Sequence, residues 1–398
     1  MTEGSARLVF GFACAGHALF HILVALFITL VLVIEPIWQR PYDELIGLWT
    51  WGALLLGLGA PLAGWLSDRL GETRVMIAYF LGIGVATVLC GYADGPGMLE
   101  AALALMGLFG AIYHPVGTAW VVKNVRRRGR SIAVLGICGS IGAAVASLIA
   151  GALADVAGWR VAFVVPGAVT ILVGLALTVC YATGRVVDRS DDLAPSPDPD
   201  KRDVRRAFVV LVITVSLTTL AYYAFTTMLP KWVEREIGLA LGQGLIGIGA
   251  LVTAIYLLGA TAQFVGGHYS DRGLAKEIYI ASFGMKLAAL VLAAFVGGWP
   301  VVIAAVIVVF VFDVAAPVEN VLIARYTSAQ RRGLAYGIRN GLAIVAAPLG
   351  VQLVALLFDE AAGFRALLLV LAAVAFVILL TALLLPKERA TATVGVAH

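Results

Sequence analysis

Two histidines four residues apart, His17 and His21 in "GHALFHILV", lie inside an uninterrupted apolar run. On a helix, positions i and i+4 share one face, so the two imidazoles project together. A third, His114 in "GAIYHPVG", lies in another apolar run. With an ordinary pKa of about 6.5, imidazole exchanges protons near neutral pH, so these three are candidates for carrying protons or touching a substrate. The bland alternative is three neutral rings hydrogen-bonded between helices. A histidine pair at this spacing can also chelate zinc, but no Asp, Glu or Cys is evident beside it, so no metal site is expected. Acidic groups appear at Asp313 and Glu319 in "FDVAAPVEN", and a cation at Arg339 in "GIRNG". Glu319 and Arg339 fall at similar depth on neighbouring runs of opposite direction and are expected to pair, as a structural bridge or as a gate. Asp313 has no evident partner and is the best acidic candidate for protonation. Tyr222, Tyr223 and Gln263 could hydrogen-bond a substrate. Lys286 is expected to snorkel to an interface.

The elements that hold these residues follow from composition. The 398-residue chain is 61% hydrophobic and only 13% charged, against about 45–50% and about 25% in soluble domains. Its mean hydropathy is +0.98. Such a chain has too much apolar surface to hide from water, so its solvent is lipid. Apolar runs of about 20 residues, the length of a membrane-crossing helix, occur at 8–34, 45–66, 75–93, 98–122, 131–154, 160–183, 207–230, 243–267, 277–297, 299–324, 333–357 and 364–385. These are numbered here as spans 1 to 12. They are continuous rather than alternating, which excludes barrel strands. Span 1 is too long for a signal peptide. The cysteines Cys14, Cys90, Cys138 and Cys180 fall in four different spans with no CxxC neighbour, so packing is expected of them and neither a disulfide nor a zinc site. Trp38, Trp49 and Trp51 read as interfacial anchors.

Lys and Arg gather on one side. Only Arg40, Arg160, Lys231, Arg235 and Arg365 fall in the loops of the other side. Both termini are therefore expected in the cytoplasm of a multi-pass inner-membrane protein. The linker "GRVVDRSDDLAPSPDPDKRDVRR" is rich in charge and proline, cannot bury apolar area, and is expected to be mobile. It divides the chain into 1–184, a linker at 185–206, and 207–398. The halves repeat. "GWLSDRLGETR" (Gly64 to Arg74) returns as "GHYSDRGLAKE" (Gly267 to Glu277), Pro115 returns as Pro317, Asp155 as Asp359, and "GWR" at Gly158 as "GFR" at Gly363, all at a nearly constant spacing. An all-α membrane protein is expected, with twelve transmembrane helices in two pseudo-symmetric six-helix bundles and a site at their interface.

These features together resemble the major facilitator superfamily over nearly the whole chain. Its signature loop matches Gly64, Asp68, Arg69, Gly71 and Arg74, with Gly267, Asp271 and Arg272 in the second half. The resemblance implies a cytoplasmic latch in which Asp68 meets the start of span 11 near Gly333. Gly64 would let span 2 approach a neighbour closely. "GALADVAGWRVAF" after Gly151 fits the same family. "GAIYHPVG" is similar to the fosmidomycin-resistance-like efflux group, although Val116 stands where that group has an acidic residue. Two marks of proton-coupled exporters are absent: Ala146 and Ser147 replace a Gly-Pro pair, and Leu103 and Met106 occupy the positions of a span 4 arginine. Span 5 keeps a small-residue stripe, Gly136, Ser140, Ala144, Ser147 and Gly151, suited to close helix contact. The resemblance implies a monomeric secondary transporter that uses alternating access to export a small organic molecule in exchange for protons, with no cofactor. Uptake by proton symport or facilitated diffusion is the alternative, and a transporter-like receptor is the alternative of a different class. No HExxH, GxSxG or P-loop is present, so no enzyme is expected. The basic residues lie scattered in loops, so no nucleic-acid partner is expected either.

Overall fold

A computed structural model describes residues 3–124, 128–187, 201–242, 244–326, 346 and 348–386. Arg339, Gly333, the first part of span 11 and the middle of the linker lie outside these residues, as do the side chains of Asp271 and Asn320. The described chain is helical: α1 (Glu3–Trp38), α2 (Tyr42–Gly47), α3 (Trp49–Leu70), α4 (Glu72–Gly91), α5 (Pro96–Gly110), a π turn (Tyr113–Gly117), α6 (Thr118–Asn124), α7 (Arg128–Ala157) and α8 (Trp159–Ala182) in the first half. The second half holds α9 (Lys201–Ile237), α10 (Ile246–Ala260), α11 (Ala262–Asp271), α12 (Ala275–Ala293), α13 (Pro300–Tyr326), α14 (Pro348–Leu357) and α15 (Arg365–Leu383).

Among the described residues, 10 helical stretches are long and apolar enough to cross a membrane, so the chain is a multi-pass membrane protein. Two further expected spans fall, in whole or in part, on described helices that do not reach that mark. One is α12, which places Lys276, Glu277 and Lys286 within 19 residues. The other is α14, the described part of span 11. Successive spans run in opposite directions; α2 and α3, α5 and α6, and α10 and α11 are each pieces of one span. One end of the molecule gathers Ser5, Glu72, Lys123, Arg206 and Leu385; the other gathers Trp38, Asp94, Gly158, Lys231 and Asp359. We call these the basic end and the far end. Large apolar side chains such as Leu58, Leu172, Phe264, Leu292 and Leu356 are exposed, as expected where the surface meets lipid rather than water.

Turn chemistry sets the helix breaks. Gly71, between α3 and α4, and Gly158, between α7 and α8, both sit at φ 88°, where a side chain is strained. The two halves use the same devices. Arg160 at the start of α8 donates to the carbonyl of Ala93, and Arg365 at the start of α15 donates to that of Ala294. The residues two before them, Gly158 and Gly363, both have positive φ. Within the first half, α4 packs on α8, α1 on α7 and α3 on α5; within the second, α12 packs on α13 and α15, and α13 on α10 and α11. Among the described residues, the main contact between halves is α7 on α10. The beginning of the expected linker turns back instead: Val187 N–H donates to Ser5 Oγ on α1 at 3.2 Å. Trp49 is buried at 2% exposure, packed under Gly52, and so is not an interfacial anchor; Trp51, 55% exposed, can be.

Candidate functional site

Polar groups converge at mid-depth in two clusters. The first joins α1 to the broken helix of span 4. The span cannot continue as an α-helix through Pro115, which lacks an N–H and crowds the preceding turn. It opens into the π turn at Tyr113–Gly117, a distortion frequent at functional sites. The turn carries His114 onto the α1 pair. Ring centroids of His17 and His114 are 5.3 Å apart, those of His21 and His114 5.7 Å, and Phe20 sits edge-on to His114 at 4.8 Å. His17 Nδ1 lies 2.7 Å from the carbonyl of Leu135 on α7. A carbonyl only accepts, so Nδ1 carries the proton and Nε2 presents a lone pair. His21 Nε2 faces that lone pair at 3.2 Å and donates to it. Tyr113 stacks on His17 at 4.9 Å, and its hydroxyl donates to the carbonyl of Ala13 at 2.7 Å. Gly139 on α7 makes room for the His17 ring, because a Cβ there would lie 2.5 Å from Cε1. The three histidines expected from sequence thus form one cluster. Beside it, the thiols of Cys14 on α1 and Cys138 on α7 are in hydrogen-bond contact. Nothing in their spacing announced this pairing, which arises only from α1 packing on α7.

The second cluster lies in the other half. Asp313 on α13 accepts a hydrogen bond from Gln263 on α11 and has Tyr222 and Tyr256 as electrostatic neighbours. Gly259 on α10 clears space for it, since a Cβ there would stand 3.2 Å from Asp313 Oδ2. Tyr222 packs edge-on against Phe312 at 5.7 Å and against Tyr223 at 5.9 Å. Two turns of α13 beyond Phe312, Glu319 is buried and accepts the Tyr279 hydroxyl at 2.9 Å. Lys286 corrects the expectation of snorkelling. It is 0% exposed, and its Nζ stands 3.8 Å from the Phe312 ring centroid and 4.5 Å from that of Phe283. Its electrostatic neighbours are Glu319 and Asp313, and its Nζ makes no hydrogen bond among the described residues. A buried ammonium needs opposite charge, so Lys286 explains why two acids sit on α13. Sequence reasoning missed this because it paired Glu319 with Arg339, which lies outside the described residues.

Gln263 connects the clusters. Besides Asp313, its amide reaches Ser140 Oγ on α7 at 3.4 Å, and Ser140 adjoins the Gly139 that seats His17. A polar line therefore runs His21, His17, α7, Gln263, Asp313, Lys286 across both halves. The small-residue stripe on α7 serves this junction. A Cβ on Gly249 of α10 would lie 2.3 Å from the carbonyl of Ser147, and one on Gly151 would lie 2.5 Å from that of Leu245. The opposite face of α7 is equally bare, with Gly142 against the backbone of Ala18 on α1.

At the far end the halves are stitched together. Asp155 accepts the backbone N–H groups of Leu245 and Ile246, at 2.7 Å each, at the start of α10. Lys231 on α9 pairs with Glu35 on α1 at 2.6 Å. Tyr42 donates to the carbonyl of Thr227 at 3.3 Å, and Gln352 on α14 donates to Thr50 on α3. At the basic end, Asp68, Arg69 and Arg74 are exposed. Arg69 lies over Trp65 at 3.9 Å and Arg74 faces Tyr181 at 5.8 Å. Lys123 bridges to Glu72 within the first half. Asp68 sits in the last turn of α3, and its expected partner near Gly333 is not among the described residues. Gly71 makes the turn into α4. Arg272 is exposed, and Gly273, not a residue in register with Gly71, supplies the positive φ of the second loop. A Cβ on Gly64 or Gly267 meets nothing within 4 Å among the described residues, which do not include the start of span 11.

Known proteins resemble this chain in sequence and in overall fold. The profile of the Major Facilitator Superfamily matches residues 14–256 and 237–396. The multidrug resistance protein MdtG of Proteus mirabilis is 26% identical over 280 residues, covering 68% of each chain. The multidrug efflux pump LfrA of Mycolicibacterium smegmatis is 32% identical over 183 residues, 45% of this chain and 30% of that one. The puromycin resistance protein pur8 of Streptomyces alboniger is 34% identical over 142 residues and is covered over 27% of its length. The chain thus spans less than a third of two of these three relatives. Among solved structures, a bacterial homolog of the human lysosomal transporter Spinster, inward-facing and occupied, superimposes with a TM-score of 0.73 at 16% identity, over 97% of this chain and 95% of that one.

Proposed function

Because this chain belongs to the Major Facilitator Superfamily of transporters, we propose that it exports a small organic molecule across the inner membrane in exchange for protons. It does so as a monomer with both termini in the cytoplasm. The two halves act as six-helix bundles that rock about α7 and α10, exposing a shared mid-depth site to one side at a time. The observation that carries this reading is the polar line from the histidine cluster through Gln263 to Asp313 and Lys286. Among the described residues it crosses between halves that meet elsewhere at mid-depth by apolar and backbone contacts, so a proton or ligand at one cluster changes what the other half binds. Ionisable groups at membrane depth mark such pathways. His17, His21, His114 and Asp313 take up and release the proton, Tyr222, Tyr223 and Gln263 contact substrate, and Glu319 neutralises Lys286. The far-end contacts of Asp155, Lys231 and Tyr42 hold the outer side shut in the present state, with the site facing the basic end. The relatives named for multidrug and puromycin resistance support export over uptake.

The experiment is flux into proteoliposomes under an imposed pH gradient, across a panel of drugs and metabolites. Substrate counterflow that rises with the gradient and collapses with an ionophore is expected. Transport indifferent to the gradient removes proton coupling, and transport that follows the proton gradient in the same direction replaces export with symport.

A further inference from the structure

The histidine cluster has a geometry that proton carriage does not require. We propose that His17, His21 and His114 form a three-imidazole binding site for a divalent transition ion of the zinc class. Each residue offers one ligand nitrogen, and the three nitrogens lie within 4.8 Å of one another. Nitrogens bound tetrahedrally at about 2.05 Å from zinc sit about 3.3 Å apart. His17 Nε2 and His21 Nε2 are already 3.2 Å apart; an entering ion displaces the proton between them, and His21 then carries its proton on Nδ1. The widest separation exceeds the tetrahedral edge by about 1.5 Å, a gap that rotation of the exposed His114 side chain closes.

The surroundings are those of a ligand rather than of a filler. Metal-bound imidazoles donate their second N–H to a carbonyl or carboxylate, which fixes the tautomer and aims the free nitrogen. His17 does this through Nδ1 to Leu135 O. Its ring is clamped between the Tyr113 face and the Gly139 backbone, so its lone pair is held in place before any ion arrives. Three imidazoles suit zinc, cobalt, nickel or copper and discriminate against magnesium and calcium, which prefer oxygen. Three neutral ligands leave a fourth position open. Among the described residues no carboxylate belongs to the cluster, so the charge of the ion is balanced by water-derived hydroxide or by an anionic ligand entering beside His114. The inference stands whatever the direction or coupling of transport.

The test uses the full chain, purified in detergent with any affinity tag removed and metal stripped by a chelator. Co2+ is titrated in and its visible d–d bands are followed. The expected result is a saturable four-coordinate spectrum at one ion per chain, abolished by Zn2+. Replacing even a hydrogen-bond partner of a metal ligand costs about 10–100-fold in affinity, so His21→Asn and His114→Asn should each lose at least that. His268→Ala, at the end of α11 outside the cluster, should bind as wild type. Should His21→Asn fail to fold, the exposed His114→Asn carries the comparison, together with the wild-type rise in Tm on Zn2+ addition, which that variant should lack. Absence of a saturable Co2+ spectrum in the wild type, or binding unchanged by His114→Asn, overturns the site.

Discussion

Asp155 offers the sharpest test of the stitched far end. Its carboxylate comes from the last turn of α7, in the first half, and takes two backbone N–H groups at the start of α10, in the second, at 2.7 Å each. Removing a side chain that caps a helix start costs about 0.5–2 kcal/mol. The charge at that helix N-terminus adds about 0.3–1 kcal/mol, less here because Asp155 is exposed. A net loss of about 1–2 kcal/mol for Asp155→Ala shifts an equilibrium about 5–30-fold. The contact joins the halves, so the loss falls on the state closed at the far end and favours its opening. Asp155→Asn keeps one acceptor oxygen and should shift it by about half as much in free energy. Spin labels at the exposed Tyr92 and Leu239, one in each half near the far end, read the populations by electron–electron distance measurement. The long-distance population should grow from wild type through Asp155→Asn to Asp155→Ala. Identical distance distributions in all three proteins, with only a fall in thermal stability, would refute the gating role.

Gly249→Val places a branched side chain where a Cβ already meets the Ser147 carbonyl at 2.3 Å; overpacking of this kind costs about 1–3 kcal/mol and should lower both Tm and transport rate. Lys286→Met leaves Asp313 and Glu319 without their buried cation and should destabilise by about 3–5 kcal/mol, while Lys286→Met with Glu319→Gln should recover much of it; thermal unfolding that shows no recovery separates the two residues. Asp68→Asn should impair transport with expression and folding close to wild type, and full flux in reconstituted vesicles would remove the latch.

Ten of the expected spans were legible in the sequence because each rests on many residues. A run of twenty apolar side chains survives any one exception. The three histidines were legible as candidates through i, i+4 spacing and their cost in lipid. What joins them was not. His114 reaches the α1 pair only because Pro115 turns a stretch of span 4 into a π turn, and hydropathy carries no trace of that turn. Lys286 was misjudged because snorkelling depends on which face of α12 looks outward, and that face is set by the packing of α12 on α13. Cys14 and Cys138 meet because α1 and α7 approach through Gly139 and Gly142, a register that spacing within either helix cannot reveal. Trp49 was read as an anchor from its position, whereas the missing side chain at Gly52 gives it a socket.

The bareness of α7 on two faces has a mechanical consequence. Towards α1 it presents Gly139 and Gly142, and towards α10 it presents Ser147 and Gly151 to Leu245 and Gly249. The His17 ring seated at Gly139 locks α7 to α1, whereas towards α10 backbone lies on backbone without such a knob, so α10 can slip along α7 without driving a side chain out of its rotamer well. The same shallow profile stiffens the joint against separation, because close approach maximises dispersion contact. α7 is thus built as a bearing, easy to shear and hard to pull apart, with the histidines mounted on one side of it and the carboxylates on the other.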